Sequence, residues 1–244
     1  APPAGSTSEY CHVHLSTEPL NATFATTQFR RLHQMAADHP TGFLKRLRAP
    51  PSPTIEVFLT TDGDPDTPLR YCFGIDDTGT LESLERHLHD LFPSEYDLSR
   101  TSRPSLPESP TAAVEYWGVP ERRHDWQTPL HPFSSFTDDD TGDARTPLAS
   151  LAATMATSPV PMAYQVLLRP KPDWSLAADE RVLALEEGTD TLGGLLTYEA
   201  VGPPEDAEDV LTKSDQARID ALEAREPHRS FDLNARLIIG DHET

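Results

Sequence analysis

Apolar and polar residues alternate along residues 9–16, which is typical of a strand with one buried face. Cys11 and Val13 fall on one face of this strand, whereas His12 and His14 fall on the other. Cysteine and valine are among the residues most often buried, and histidine is intermediate. The pattern therefore predicts a first strand whose two faces differ in chemistry.

Two later segments repeat their apolar residues every three or four positions, which predicts amphipathic helices at residues 21–38 and 81–92. The predicted stripe of the first helix is Ala25, Phe29, Leu32 and Ala36, and that of the second is Leu81, Leu84, Leu88 and Leu91. Each stripe is wide enough to cover one face of a sheet.

Between these helices, strand patterns at residues 54–61 and 68–77 flank a turn-rich stretch from Asp62 to Pro68, which predicts a hairpin. A short strand pattern follows the second helix at residues 95–102. The resulting order, β-α-β-β-α-β, is that of the ferredoxin-like split β-α-β fold.

The pattern then restarts after a linker rich in Pro and Ser at residues 103–111. The first unit covers residues 1–102 and the second covers residues 112–244. The second unit reads as strand, helix and strand, then inserted helices at about 174–226, then a last strand. We therefore predict an α+β fold of two tandem ferredoxin-like units, the second truncated and carrying a helical insertion.

Charge separates this chain from ordinary acidic proteins. Its formal net charge is −20, and only three of its 20 basic residues are lysines, Lys45, Lys171 and Lys213. Many carboxylates with few lysines suit a protein of an extreme halophile, because carboxylates hold water and counterions in molar salt. Screening falls to a few Å at that salt concentration, so the charge does not exclude nucleic acid as a partner.

Neither a disulfide scaffold nor a membrane span is predicted. The two cysteines, Cys11 and Cys72, each lie within a strand pattern, as expected of small buried thiols. No apolar run approaches about 18 residues. We expect a cytoplasmic location, with membrane association only through partners. The chain starts without methionine and stops just after a strand pattern, so we expect it to be part of a longer protein.

Catalytic signatures are missing from the sequence. It contains no GxxxxGK[ST] phosphate loop, no GxGxxG loop after a strand and no GxSxG elbow. We assign no catalytic, cofactor-binding or metal-binding residue. His12 and His14 have a spacing that allows chelation, although surface histidines are the simpler interpretation. A stand-alone metal-dependent enzyme using these two residues therefore stays an alternative.

Candidate contacts with nucleic acid or a partner come from basic residues. They are Arg30, Arg31, Lys45, Arg46 and Arg48, within a net positive first 50 residues, and Arg122, Arg123 and Trp126. Phosphate groups attract such clusters, and aromatic rings between them can stack on bases. The simpler alternatives are arginines paired with the chain's own carboxylates and a buried pair formed by Trp117 and Trp126. A nucleic-acid-binding module based on residues 30–48 is a second alternative.

The succession of "TTQFRRLH", "IEVFLTTDGD", "LRYCFGIDD" and "VEYWGVPERRHDWQTPLHPF" resembles the amino-terminal region of large conjugative-transfer ATPases of halophilic archaea. These are related to type IV secretion motors and to the HerA/FtsK class of DNA translocases. "PMAYQVLLRPKPDW" and "RIDALEAREPHRSFDLNARLIIGD" continue the resemblance. It covers roughly residues 20–240 and rests on the order and character of segments, not on a catalytic motif.

The resemblance implies a non-catalytic docking and assembly domain that precedes the motor, whose phosphate loop lies downstream. The chain itself would then not be an enzyme, although its parent would be an ATPase. The implied partners are other subunits of a transfer or translocation complex, or the parent's motor domain. DNA contact and homo-oligomerisation through the motor are further expectations. No cofactor is implied.

Overall fold

The computed structural model describes residues 9–14, 22–37, 53–64, 66–76, 81–116, 147–190 and 211–241. These residues contain seven strands and five α-helices, so the fold is α+β. The strands are β1 (Glu9–His14), β2 (Ile55–Thr61), β3 (Arg70–Ile75), β4 (Asp97–Ser102), β5 (Pro110–Tyr116), β6 (Met162–Pro170) and β7 (Phe231–Gly240). The helices are α1 (Ala22–Ala37), α2 (Leu81–Leu91), α3 (Pro147–Ala156), α4 (Ser175–Glu186) and α5 (Lys213–Glu223).

All seven strands form one antiparallel sheet in the order β4-β1-β3-β2-β6-β7-β5. β2 and β6 pair over their whole shared length, from Ile55 opposite Leu168 to Thr61 opposite Met162, and so join the two halves of the sequence. The predicted order of elements is confirmed. The tandem ferredoxin-like arrangement and its boundaries stay predictions.

Helices α1 and α2 pack on one face of the sheet, here called the helix face. All four leucines of the predicted α2 stripe are buried there, together with Leu32 and Ala36 of α1. Phe29 departs from its predicted stripe, because 38% of it is exposed. Cys11 and Cys72 are buried thiols, as the sequence predicted.

Residues 103–109, here called the strap, cross the opposite face of the sheet. We call this face the strap face. Because β4 and β5 lie at opposite edges, the chain must cross six strand spacings of about 4.8 Å, roughly 29 Å. The eight Cα steps from Ser102 to Pro110 reach at most about 29 Å. The strap is therefore close to fully extended. Leu106 packs on the sheet beneath it, and Ser109 accepts a hydrogen bond from the Asp241 amide at 3.1 Å.

The described residues divide into two compact units. The first holds the sheet with α1, α2 and α3, and the second holds the described residues of 171–230, with α4, α5 and a 3-10 turn at Pro227–Arg229. The first and last residues of the range 171–230 are joined by a hydrogen bond, since the Lys171 amide donates to the Ser230 carbonyl at 2.8 Å. The indole of buried Trp174 donates to the Ser230 hydroxyl at 3.2 Å.

The described helices include none long and apolar enough to cross a bilayer.

Candidate functional site

Strand β5 is the most exposed strand of the sheet, since all seven of its residues are exposed. It lies at one edge and, within the described part of the chain, pairs only with β7. Its sequence, PTAAVEY, carries one charge, Glu115. An edge strand with so little charge presents unpaired backbone groups on which another strand can be added.

The opposite edge is protected in the way that natural sheets usually protect their edges. β4, DLSRTS, carries Asp97 and Arg100 among its six residues. Arg100 forms a bidentate ion pair with Glu85 of α2, at 2.7 Å for the shorter contact. Charged side chains on an edge discourage further pairing. The two edges therefore differ, and β5 is the one open to another strand.

An exposed apolar patch adjoins β5 on the helix face and consists of Val114, Tyr116 and Leu233. Their exposed fractions are 47%, 50% and 45%. Strand register places all three on this face. Val114 and Tyr116 lie opposite Leu237 and Ala235 of β7, which are four and two residues from Leu233. At the other end of the sheet the equivalent face is covered by α1 and α2. The patch is therefore unlike the rest of the helix face.

A row of polar contacts crosses the strap face, centred on the Glu56 carboxylate of β2. This carboxylate accepts hydrogen bonds from the Tyr10 hydroxyl, the Gln165 amide and the Arg103 guanidinium, the last at 2.8 and 3.3 Å. Arg236 of β7 in turn donates to the Gln165 carbonyl. The row links β1, β2, β6 and β7 to the strap.

Gly74 allows Tyr10 to reach Glu56. On β3, Gly74 lies directly between these two residues, opposite Tyr10 on β1 and opposite Glu56 on β2. A Cβ atom at position 74 would lie well inside 3.0 Å of three atoms of the Tyr10 ring. The missing side chain thus lets the ring lie across β3, a use of glycine in a strand where a neighbour approaches closely.

Burial and the Glu56 hydrogen bond raise the pKa of Tyr10 far above its usual value, so its hydroxyl stays a neutral donor. The pKa of Arg103 is also raised, chiefly by its hydrogen bonds to Glu56. Arg103 further lies over the Phe58 ring at 5.5 Å. These donors and the acceptor are satisfied by one another, so the row serves to hold the strap on the sheet.

The rings of His12 and His14, which the alternative of a metal-dependent enzyme would use, lie side by side with centroids 4.1 Å apart. His14 Nε2 lies 3.0 Å from the Ser99 hydroxyl. The described residues include no group of three or more His, Cys, Asp or Glu side chains placed to hold a metal ion.

Of the predicted basic contact residues, the structure describes Arg30 and Arg31, both exposed on α1. Arg31 lies 3.9 Å from Asp90 of α2, in line with an arginine paired to the chain's own carboxylate. Lys45, Arg46, Arg48, Arg122, Arg123 and Trp126 lie outside the described residues. The basic cluster therefore stays a prediction.

A cleft of about 1010 Å³ opens where the β2–β3 turn meets the strap. Four residues, Asp62, Asp64, Glu108 and Asp241, contribute carboxylates to its lining, against the guanidinium of Arg70. Asp62 and Asp64 accept hydrogen bonds from backbone amides two residues ahead, so these carboxylates stabilise the turn itself.

Sequence reasoning missed the β5 edge and the Glu56 row. The signal for β5 was present, because a strand with a single charge follows a proline-rich segment. Its edge position depends on pairing that the sequence does not reveal. Comparison with protein-family models, with curated proteins and with solved structures found no match for the chain.

Proposed function

We propose that this chain is a non-catalytic docking and assembly domain whose docking site is β5 and the apolar patch. The observation that carries the proposal is an edge strand exposed at all seven positions beside three exposed apolar side chains. As the resemblance implies, the parent is a DNA-transfer or DNA-translocating ATPase of a halophilic archaeon. The domain works in the cytoplasm and reaches the membrane only through partners.

The strand order supports two split β-α-β units in a shared sheet. The order β4-β1-β3-β2 with α1 and α2 on one face corresponds to a complete unit. The order β6-β7-β5 corresponds to the second, third and first strands of another. The two units meet where β2 pairs with β6. Among the residues that the structure describes, the second unit then has no second crossover helix and no fourth strand.

Those two elements define the partner. In the first unit, the fourth strand β4 pairs with β1, and α2 covers β1 and β3. The equivalent fourth strand of the second unit would pair with the free edge of β5. The equivalent helix would cover Val114, Tyr116 and Leu233. We therefore propose that the partner supplies an amphipathic helix and a strand, from the parent's motor domain or from another subunit.

Replacing Val114 with lysine should break docking without unfolding the domain. Val114 is already half exposed, so lysine is tolerated in the free chain, but an apolar helix cannot pack over an ammonium group. We expect at least a tenfold loss of affinity, as for a central interface residue. Size-exclusion chromatography of the parent complex would detect a lost subunit, and limited proteolysis would detect a released segment of the same chain.

Ser102→Lys provides the matched control, since Ser102 is an exposed residue of the other edge strand. It should leave assembly and proteolysis unchanged. Equal effects of the two lysines, or intact assembly with Val114→Lys, would refute β5 as the docking strand.

A further inference from the structure

Three basic side chains meet on the strap face where β4, β1 and β3 are neighbours. His12 and His14 belong to β1, and Arg70 begins β3. The two imidazole rings are 4.1 Å apart, and the Ser99 hydroxyl of β4 lies 3.0 Å from His14 Nε2. The cluster is separate from β5 and from the Glu56 row.

Arg70 extends across β1 to reach this cluster. Its Nη2 donates to the Thr101 hydroxyl at 3.3 Å, and Thr101 lies on β4, beyond β1. Two nearby arginines, Arg100 and Arg103, each hold a glutamate. Among the described side chains Arg70 has no carboxylate within ion-pair distance, although acidic residues outnumber basic ones 40 to 20 in the chain. Its charge is therefore available to a ligand.

The surroundings of His12 disfavour its positive form. Burial lowers the pKa of His12, and the charges of His14 and Arg70 lower it further. On β3, the thiol of Cys72 lies opposite His12, and burial raises the pKa of that thiol to about 11, so it is neutral. Among the described residues Asp97 of β4 lies in register with the cluster, opposite His14, and the carboxylates of Asp62, Asp64 and Glu108 line the cleft that Arg70 also lines. An anion held among the three basic groups would relieve their mutual repulsion.

We propose that His12, His14 and Arg70 form a binding site for a phosphate group. Guanidinium presents a rigid fork of donors that matches phosphate oxygens, and protonated imidazole adds charge-assisted donors. The Ser99 hydroxyl adds a further hydrogen-bonding group at the rim. His14 and Arg70 are exposed, so the site accepts a phosphate that belongs to a larger molecule as readily as a free one.

Burial and the neighbouring positive charges lower the pKa of His12 in the free chain. A bound phosphate stabilises the imidazolium form, so it should raise that pKa.

The test follows the imidazole C–H signals of His12 and His14 by NMR while inorganic phosphate is added at constant molar KCl. We expect saturable shifts of both signals and a raised pKa of His12. Arg70→Gln should weaken binding about tenfold, since a charge-assisted donor is lost. Arg100→Gln, on the helix face and paired with Glu85, should leave binding unchanged.

A short oligothymidylate, titrated in the same way, identifies the source of the phosphate. If the oligonucleotide shifts the histidine signals and Arg70→Gln weakens that effect, the natural ligand is a nucleic-acid backbone. If only inorganic phosphate shifts the signals, the natural ligand is a small phosphate compound. Non-saturable shifts, or equal affinity in folded Arg70→Gln, would overturn the proposal. So would stoichiometric Zn²⁺ binding at both imidazoles that phosphate does not affect, because that result would indicate a metal site.

Discussion

Glu56→Ala should lower the free energy of unfolding by about 3 kcal/mol. The substitution leaves three donors without their acceptor: the Tyr10 hydroxyl, the Gln165 amide and the Arg103 guanidinium. Gln165 and Tyr10 are each 2% exposed, so water cannot replace the carboxylate without opening the strap. Urea denaturation at constant molar salt measures the change.

The chain provides a matched control in Glu85. Arg100 and Arg103 each form a bidentate pair with a glutamate, at 2.7 and 2.8 Å. The Arg100–Glu85 pair lies at the surface and is not part of the Glu56 row. Glu85→Ala should cost only about 0–1 kcal/mol. Similar losses for the two variants would show that the Glu56 row does not hold the strap.

Gly74→Ala should destabilise the sheet by about 2–3 kcal/mol. The added methyl group would clash with the Tyr10 ring. The backbone of β3 cannot move away from the ring, because β3 is hydrogen-bonded to a strand on each side. The ring must therefore leave its place over β3, which also breaks its hydrogen bond to Glu56. The same denaturation experiment measures this loss.

Tyr10→Ala tests the cause of that loss. If the clash is with the ring, Gly74→Ala should cost less than about 1 kcal/mol in a Tyr10→Ala background, because the two substitutions then share one mechanism. An undiminished cost in that background would mean that Gly74 is needed for a reason other than the Tyr10 ring.

Local pattern was enough to predict most elements of this fold. The leucine stripe of α2 and the alternation of β1 correctly predicted which residues are buried. Both patterns can be read from residues that are close together in the sequence. Phe29 shows the limit, because it fits the apolar stripe of α1 and yet 38% of it is exposed. The pairing of β2 with β6 is non-local, about 107 residues apart at Phe58 and Gln165, so no local pattern reveals it.

The functional candidates were harder to predict for the same reason. β5 was recognised as a strand, but its exposure follows from its place at the sheet edge. The Glu56 row needs strands from both halves of the chain and a glycine on the strand between Tyr10 and Glu56. Residues 103–111 were predicted to be a linker, whereas β5 already begins at Pro110. The path of residues 103–109 across the sheet follows from β4 and β5 lying at opposite edges.

Hydrogen–deuterium exchange of β5 tests the docking role most directly. Backbone amides in Pro110–Tyr116 are compared in the isolated chain and in the assembled parent complex, with Asp97–Ser102 as the internal reference. Addition of a strand to the free edge should slow exchange in β5 and leave β4 unchanged. Unchanged exchange in β5 on assembly would contradict a domain built to accept a partner strand there.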